Sequence, residues 1–263
     1  MTPGHYPLSH NPFDFIAWPE DTGVVLVLDS CIIQDLGLAL FEWSSDITQV
    51  DCLYDNTPWE PVRDVSPWAV WLSGPDDPAL RHFVEHEAAN EAGYLLFTPL
   101  SYPQFSRWMR QRIQIERAPE AVELVRISHP ALAREIIGDH LIRTGPEGAI
   151  QQMVLPDRTT GQWHHLALKT DTTPPDLDQT VSLSPGLFEA FSRFNVRRAD
   201  LMIWDGLDEP TRKALGGPAL PKAWPELCRL SAEAGKAGKN DIRQRTQYLR
   251  QCCSQEAMAD QRP

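Results

Sequence analysis

Two histidines four residues apart, His82 and His86, share one face of an expected helix and could offer an ion two imidazole ligands. The zinc-protease pattern H-E-x-x-H needs a glutamate directly after its first histidine, as general base, and Phe83 stands there. With Glu85 and Glu87 beside them, the two histidines read as a solvated polar face. His164 and His165 alternate within an expected strand, so their rings point to opposite faces and do not share an ion. Ser30 and Ser73 lack the small flanking residues of the G-x-S-x-G elbow, which exposes a nucleophilic hydroxyl, and read as strand-end and turn residues. In Gly235-Lys236-Ala237-Gly238-Lys239, Glu233 replaces the first glycine of a phosphate loop and no strand precedes it, so the segment reads as a helix break. Cys31, Cys52, Cys228, Cys252 and Cys253 are odd in number and lack C-x-x-C spacing, which makes them free thiols. No catalytic residue, metal ligand or cofactor motif is assigned, and the chain is expected not to be an enzyme. Asp29 with one histidine is the pair a rival hydrolase reading would use.

The elements around these residues are expected to form an α/β lobe followed by a smaller one. Short apolar runs at Val24–Asp29, Val50–Tyr54, Trp68–Leu72, Tyr94–Phe97 and Val122–Ile127 read as strands of a mixed sheet, apolar enough to be buried on both faces. Asp77, followed by Pro78, caps a helix whose Leu80, Phe83, Val84 and Ala88 share a face, with Gly93 as its stop. Ser101 and Gln104 have capping-box spacing before a helix burying Phe105, Trp108, Met109 and Ile113. Another helix begins near Pro130 and ends before Thr144-Gly145-Pro146-Glu147-Gly148, where the lobe boundary is placed.

Beyond that point Gln152–Leu155 and Trp163–Lys169 read as a hairpin joined through Asp157–Gly161, followed by the loop Thr172-Thr173-Pro174-Pro175. Helices follow, one capped by Ser184 and another within Leu201–Leu215, and Lys222–Pro263 reads as a helical tail broken at Gly235–Gly238. The expected organisation is an N-terminal α/β lobe over 20–145, a C-terminal lobe with a hairpin and helices over 146–221, and a helical tail over 222–263.

Composition bounds the partners. The 263 residues carry a net charge of −12, unevenly spread: residues 1–101 hold 16 acidic side chains against only Arg63 and Arg81. That field repels phosphates and anionic lipid, so nucleic-acid and membrane partners are not expected, and a neutral or basic protein surface is. The longest apolar run, Val24–Leu28, is far shorter than the roughly 20 residues that cross a bilayer, and Met1–Asp14 has no basic start followed by an apolar stretch. A cytoplasmic location is the expectation. Of the tryptophans, Trp59, Trp68, Trp71 and Trp108 read as core, with interface contact as the alternative.

The order of Cys52-Leu53-Tyr54-Asp55-Asn56-Thr57-Pro58, Ser66-Pro67-Trp68-Ala69-Val70-Trp71-Leu72 and Gly93-Tyr94-Leu95-Leu96-Phe97 resembles the domain-of-unknown-function 4123 family. The arginine-bearing helix Leu100–Ile115 and the stretch Glu123–Leu132 continue the likeness, although Ile127, Ser128 and His129 replace that family's aromatic and acidic residues and Ser66 a glycine. The resemblance implies an effector chaperone, or adaptor, of the bacterial type VI secretion system, which binds one cognate toxin and hands it to the spike tip protein. An immunity protein that inhibits a toxin is the rival. Arg107, Arg110, Arg112 and Arg126 are the candidate partner-binding residues, against a solvated helix face for the first three and an internal ion pair for Arg126.

Overall fold

The computed structural model describes residues 4–43, 49–118, 121–141, 148–168, 177–178 and 181–259. The sequence-derived boundary at Thr144–Glu147 and the loop Thr172–Pro175 lie outside the described residues. The chain forms two compact units: Met1–Asp157 with Gly161–Ala190, and Arg158–Thr160 with Phe191–Pro263.

The first unit is α/β, as the sequence pattern indicates. Among the described residues seven strands make one sheet in the order β1 (Gly4–Pro7), β9 (Gln162–Ala167), β8 (Gln152–Asp157), β5 (Gly93–Thr98), β2 (Gly23–Asp29), β4 (Pro67–Trp71) and β3 (Val50–Cys52). Every neighbouring pair is antiparallel. A smaller sheet pairs β6 (Gln114–Ala118) antiparallel with β7 (Ala121–Leu124) and parallel with β10 (Val181–Ser182). The β8–β9 hairpin, read from sequence as the opening of the second lobe, is hydrogen-bonded to β5 and belongs to the first unit. Its apolar Met153, Val154 and Leu155 complete a ladder that β5 would otherwise leave open.

Both faces of β2 are covered, which is why Val24 to Leu28 can be apolar without alternation. Val24, Leu26 and Leu28 join a core with Leu36, Leu40, Leu80 and Phe83, contributed by α1 (Leu36–Trp43) and by the helical segment that starts with α2 (Pro78–His82). On the opposite face Val25 pairs with Trp71, whose ring meets Tyr102 and Phe105 of α3 (Tyr102–Arg112) edge-on. Ser101 N–H donates to Gln104 Oε1 at 3.0 Å, so the expected capping spacing is used.

The helix capped by Asp77 is less regular than its periodicity suggests. Asp77 accepts from Ala79 N–H, but after His82 the chain widens into a π turn, Phe83–Glu87, tightens over Ala88–Asn90, and stops at Glu91 with φ of +58°. Gly93, expected as the stop, opens β5 instead. A Cβ there would lie 2.2 Å from the Val27 carbonyl oxygen, so the close approach of β5 to β2 demands glycine. Similarly α4 (Pro130–Ala133), capped by His129 Nδ1 accepting Ala131 N–H, continues as a π-helical segment, Arg134–Leu141.

The second unit is helical. α5 (Pro185–Asp205), whose Ser184 Oγ accepts Leu187 N–H, passes into it and is followed by α6 (Glu209–Ala214), α7 (Leu220–Lys236) and α8 (Ile242–Ala259). Leu201, Trp204, Leu227, Leu230 and Leu249 share one core, so the helices of the expected tail pack with the end of α5. The break expected at Gly235–Gly238 is present, with Gly238 at φ of +77°. No helix among the described residues is long and apolar enough to cross a membrane.

Candidate functional site

The most distinctive surface begins where β2 ends. Asp29 is fully buried; its Oδ1 accepts Cys31 N–H at 2.9 Å, and its carbonyl accepts the N–H groups of Ile32 and Ile33. These turns carry the chain to Asp35, held at φ of +48°, whose carbonyl accepts Leu38 and Ala39 N–H and so starts α1. The helix buries Leu36 and Leu40, the one-turn spacing of an inward face. Its outward residues are also apolar: Leu38 is 64% and Phe41 81% exposed.

A 3₁₀ segment, Glu60–Val65, forms the facing wall and exposes Val62 and Val65. The walls are tied at their base, since Ser30 Oγ donates to the Ser66 carbonyl at 2.6 Å and Ser66 Oγ accepts Tyr54 N–H. Between them lies an open cavity of about 280 Å³ with Leu36, Gly37 and Leu38 on one side, Arg63 and Asp64 on the other, and Trp68 among its lining. Gly37 permits this closeness: a Cβ at that position would lie 3.0 Å from the Trp68 ring. Exposed Asp35 and Asp64 line the same groove, while Arg63 is drawn to Asp55 at 3.5 Å. Nearby Tyr54 is pushed up to about 12, first by burial and then by the negative groups around it.

The four candidate arginines meet four different partners. Arg107 is exposed and forks onto Asp178, with Nε 2.6 Å from Oδ1. Arg110 reaches Asp51 at 2.6 Å. Arg112 is buried, its guanidinium 4.5 Å from the centroid of Trp108 and its Nη1 donating to the Trp108 carbonyl. Arg126 Nε donates to Asp29 Oδ2 at 2.8 Å, the internal ion pair that was its alternative reading. Trp108 is core, whereas Trp59, Trp68 and Trp71 are half-buried.

The other chemical candidates are occupied locally. His82 stacks on Trp43 at 4.2 Å and lies 4.6 Å from the His86 ring; burial first, then His86, lowers its pKa. His164 pairs with Asp157 at 3.3 Å, and His165, on the other face, with Gln152 at 2.7 Å. Among the described residues no three His, Cys, Asp or Glu side chains are grouped to hold a metal. The sequence reading missed α1 and the Glu60–Val65 segment. The available signal was the run Leu36-Gly37-Leu38-Ala39-Leu40-Phe41, in which Leu36 and Leu40 satisfy one helical face and leave two large apolar side chains over.

Residues 25–139 match the family model described as "Domain of unknown function (DUF4123)". The chain is similar to that family over this stretch, which holds the groove and the Asp29–Arg126 pair. Neither the curated proteins nor the solved structures contain a match.

Proposed function

We propose that this protein is a non-catalytic adaptor that binds a cognate type VI secretion effector and loads it onto the spike tip protein. The observation that carries the reading is the outward face of α1, where exposed Leu38 lines a groove and exposed Phe41 follows one turn further along the helix. A surface phenylalanine retaining four-fifths of its exposure gains nothing from the fold it sits on, and apolar surface of this kind marks sites where another molecule docks. The similarity of residues 25–139 to the DUF4123 family supports the same reading.

An adaptor captures and releases. A groove that combines a few apolar anchors with charge meets that need, because complementary charge speeds encounter and selects the partner without a large dry interface. Gene deletion in the native bacterium, followed by measurement of effector in the culture medium, tests the proposal. Export of one effector is expected to fail and to return with the intact gene. Normal export in its absence would overturn the adaptor reading, and rescue of a poisoned cell without any effect on export would indicate a toxin inhibitor.

A further inference from the structure

We infer that the occupant of the groove between α1 and Glu60–Val65 is a basic amphipathic segment of the partner. Its apolar side chains would seat on Leu38 and Phe41 and reach into the Trp68-lined cavity, and its lysines or arginines would face Asp35 and Asp64. This inference rests on the adaptor reading and specifies the chemistry of the segment bound.

The apolar half is the pair Leu38, which lines the cavity of about 280 Å³, and Phe41, three residues further on and therefore its neighbour on the same helix face. A cavity of that size accepts one or two large side chains, enough for an anchor and too small for a domain. The charged half is the rim. Asp35 and Asp64 line the groove, Glu42 on α1 and Glu60 on the 3₁₀ segment are exposed outside that lining, and Arg63, the cation in the lining among the described residues, is drawn aside by Asp55. The surrounding sequence extends the sign, with two basic residues against 16 acidic ones over residues 1–101. An acidic or neutral occupant would leave these carboxylates facing like charge or nothing, whereas a basic one is drawn in and held in register.

Two synthetic peptides test this against the full chain by fluorescence anisotropy. Each is about 18 residues, roughly 27 Å as a helix, with leucine and phenylalanine on one face; one carries lysine on the other face, its twin glutamate. The lysine peptide is expected to bind at least about tenfold more tightly than the glutamate peptide, and to weaken as salt rises from about 50 to about 500 mM, which cuts the screening length roughly threefold. Phe41→Ser should weaken it by about tenfold, and Asp35→Asn with Asp64→Asn by roughly threefold to tenfold. Phe41 is exposed and asparagine tolerates the left-handed conformation at Asp35, so these variants should keep the native melting temperature.

Equal binding of the two peptides, or indifference to Phe41→Ser, would overturn the inference. So would self-association of the chain in analytical ultracentrifugation that Phe41→Ser abolishes, since the face would then belong to a second copy. Effector export that depends on the gene but survives Phe41→Ser would sink the groove assignment and spare the adaptor reading. Peptide binding as described with export independent of the gene would do the reverse.

Discussion

Arg126→Met removes a guanidinium and keeps most of its stem, which isolates the contribution of the ion pair to Asp29. Asp29 has a side-chain exposure of 1% and would lose the donor on Oδ2 while keeping Cys31 N–H on Oδ1. Taking one partner from a buried pair costs about 3–5 kcal/mol, because the remaining charge is stranded away from water. Arg126 is itself 28% exposed, so water reaches the vacated position and the expected cost falls to about 2–3 kcal/mol. In a unit of this size that corresponds to a melting temperature lower by about 4–12 °C.

Urea unfolding followed by tryptophan fluorescence measures it, since seven of the nine tryptophans lie in the first unit. Arg107→Met is the matched control: its pair with Asp178 is more than half exposed and should cost no more than about 1 kcal/mol. Adding Asp29→Asn to Arg126→Met should recover part of the loss, because the stranded charge is then gone. If Arg126→Met unfolds like the native chain, or no more easily than Arg107→Met, the ion pair is not what holds residue 126. A variant that keeps native stability but loses its effector would return Arg126 to the binding surface.

Two further outcomes follow from the packing. Gly93→Ala should destabilise the first unit by about 3 kcal/mol, since the new methyl meets the Val27 carbonyl oxygen and neither backbone can yield within the central β2–β5 ladder; a thermal melt within about 0.5 kcal/mol of native would refute the contact. In the second unit, burial raises the Asp200 carboxyl above its usual range despite the hydrogen bond from Ser231 Oγ at 2.5 Å. The folded state therefore holds that proton more tightly than the unfolded chain, and the resulting stability is lost as pH rises through the folded value. Asp200→Asn should accordingly melt higher than native near neutral pH, with the gain shrinking towards about pH 4; a lower melting temperature at neutral pH would show that the charge, held by Arg245, is wanted.

Where periodicity and end signals agree, elements could be read directly from residues. The apolar run Val24–Leu28, the cap at Asp77 and the Ser101–Gln104 spacing each depend on neighbours within a few positions, and each is found in place. Residue chemistry alone also set the charge excess of the first hundred residues.

Pairing was settled elsewhere. That β8 and β9 join β5 rather than a separate lobe depends on which buried edge their apolar residues could cover, a choice made across more than fifty residues of chain. The arginines show the same division. Arg107 and Arg110 on α3 and Arg126 beyond it are visible in the sequence as candidates, but their carboxylates Asp178, Asp51 and Asp29 lie 71, 59 and 97 residues away, and only folding brings them within reach. Conversely, Leu38 and Phe41 look like ordinary core until the sheet takes Leu36 and Leu40 and leaves them outside. Exposure is a property of the packed molecule: the run Leu36–Phe41 shows that apolar side chains are left over, and only the face that α1 turns to the sheet decides that they are Leu38 and Phe41.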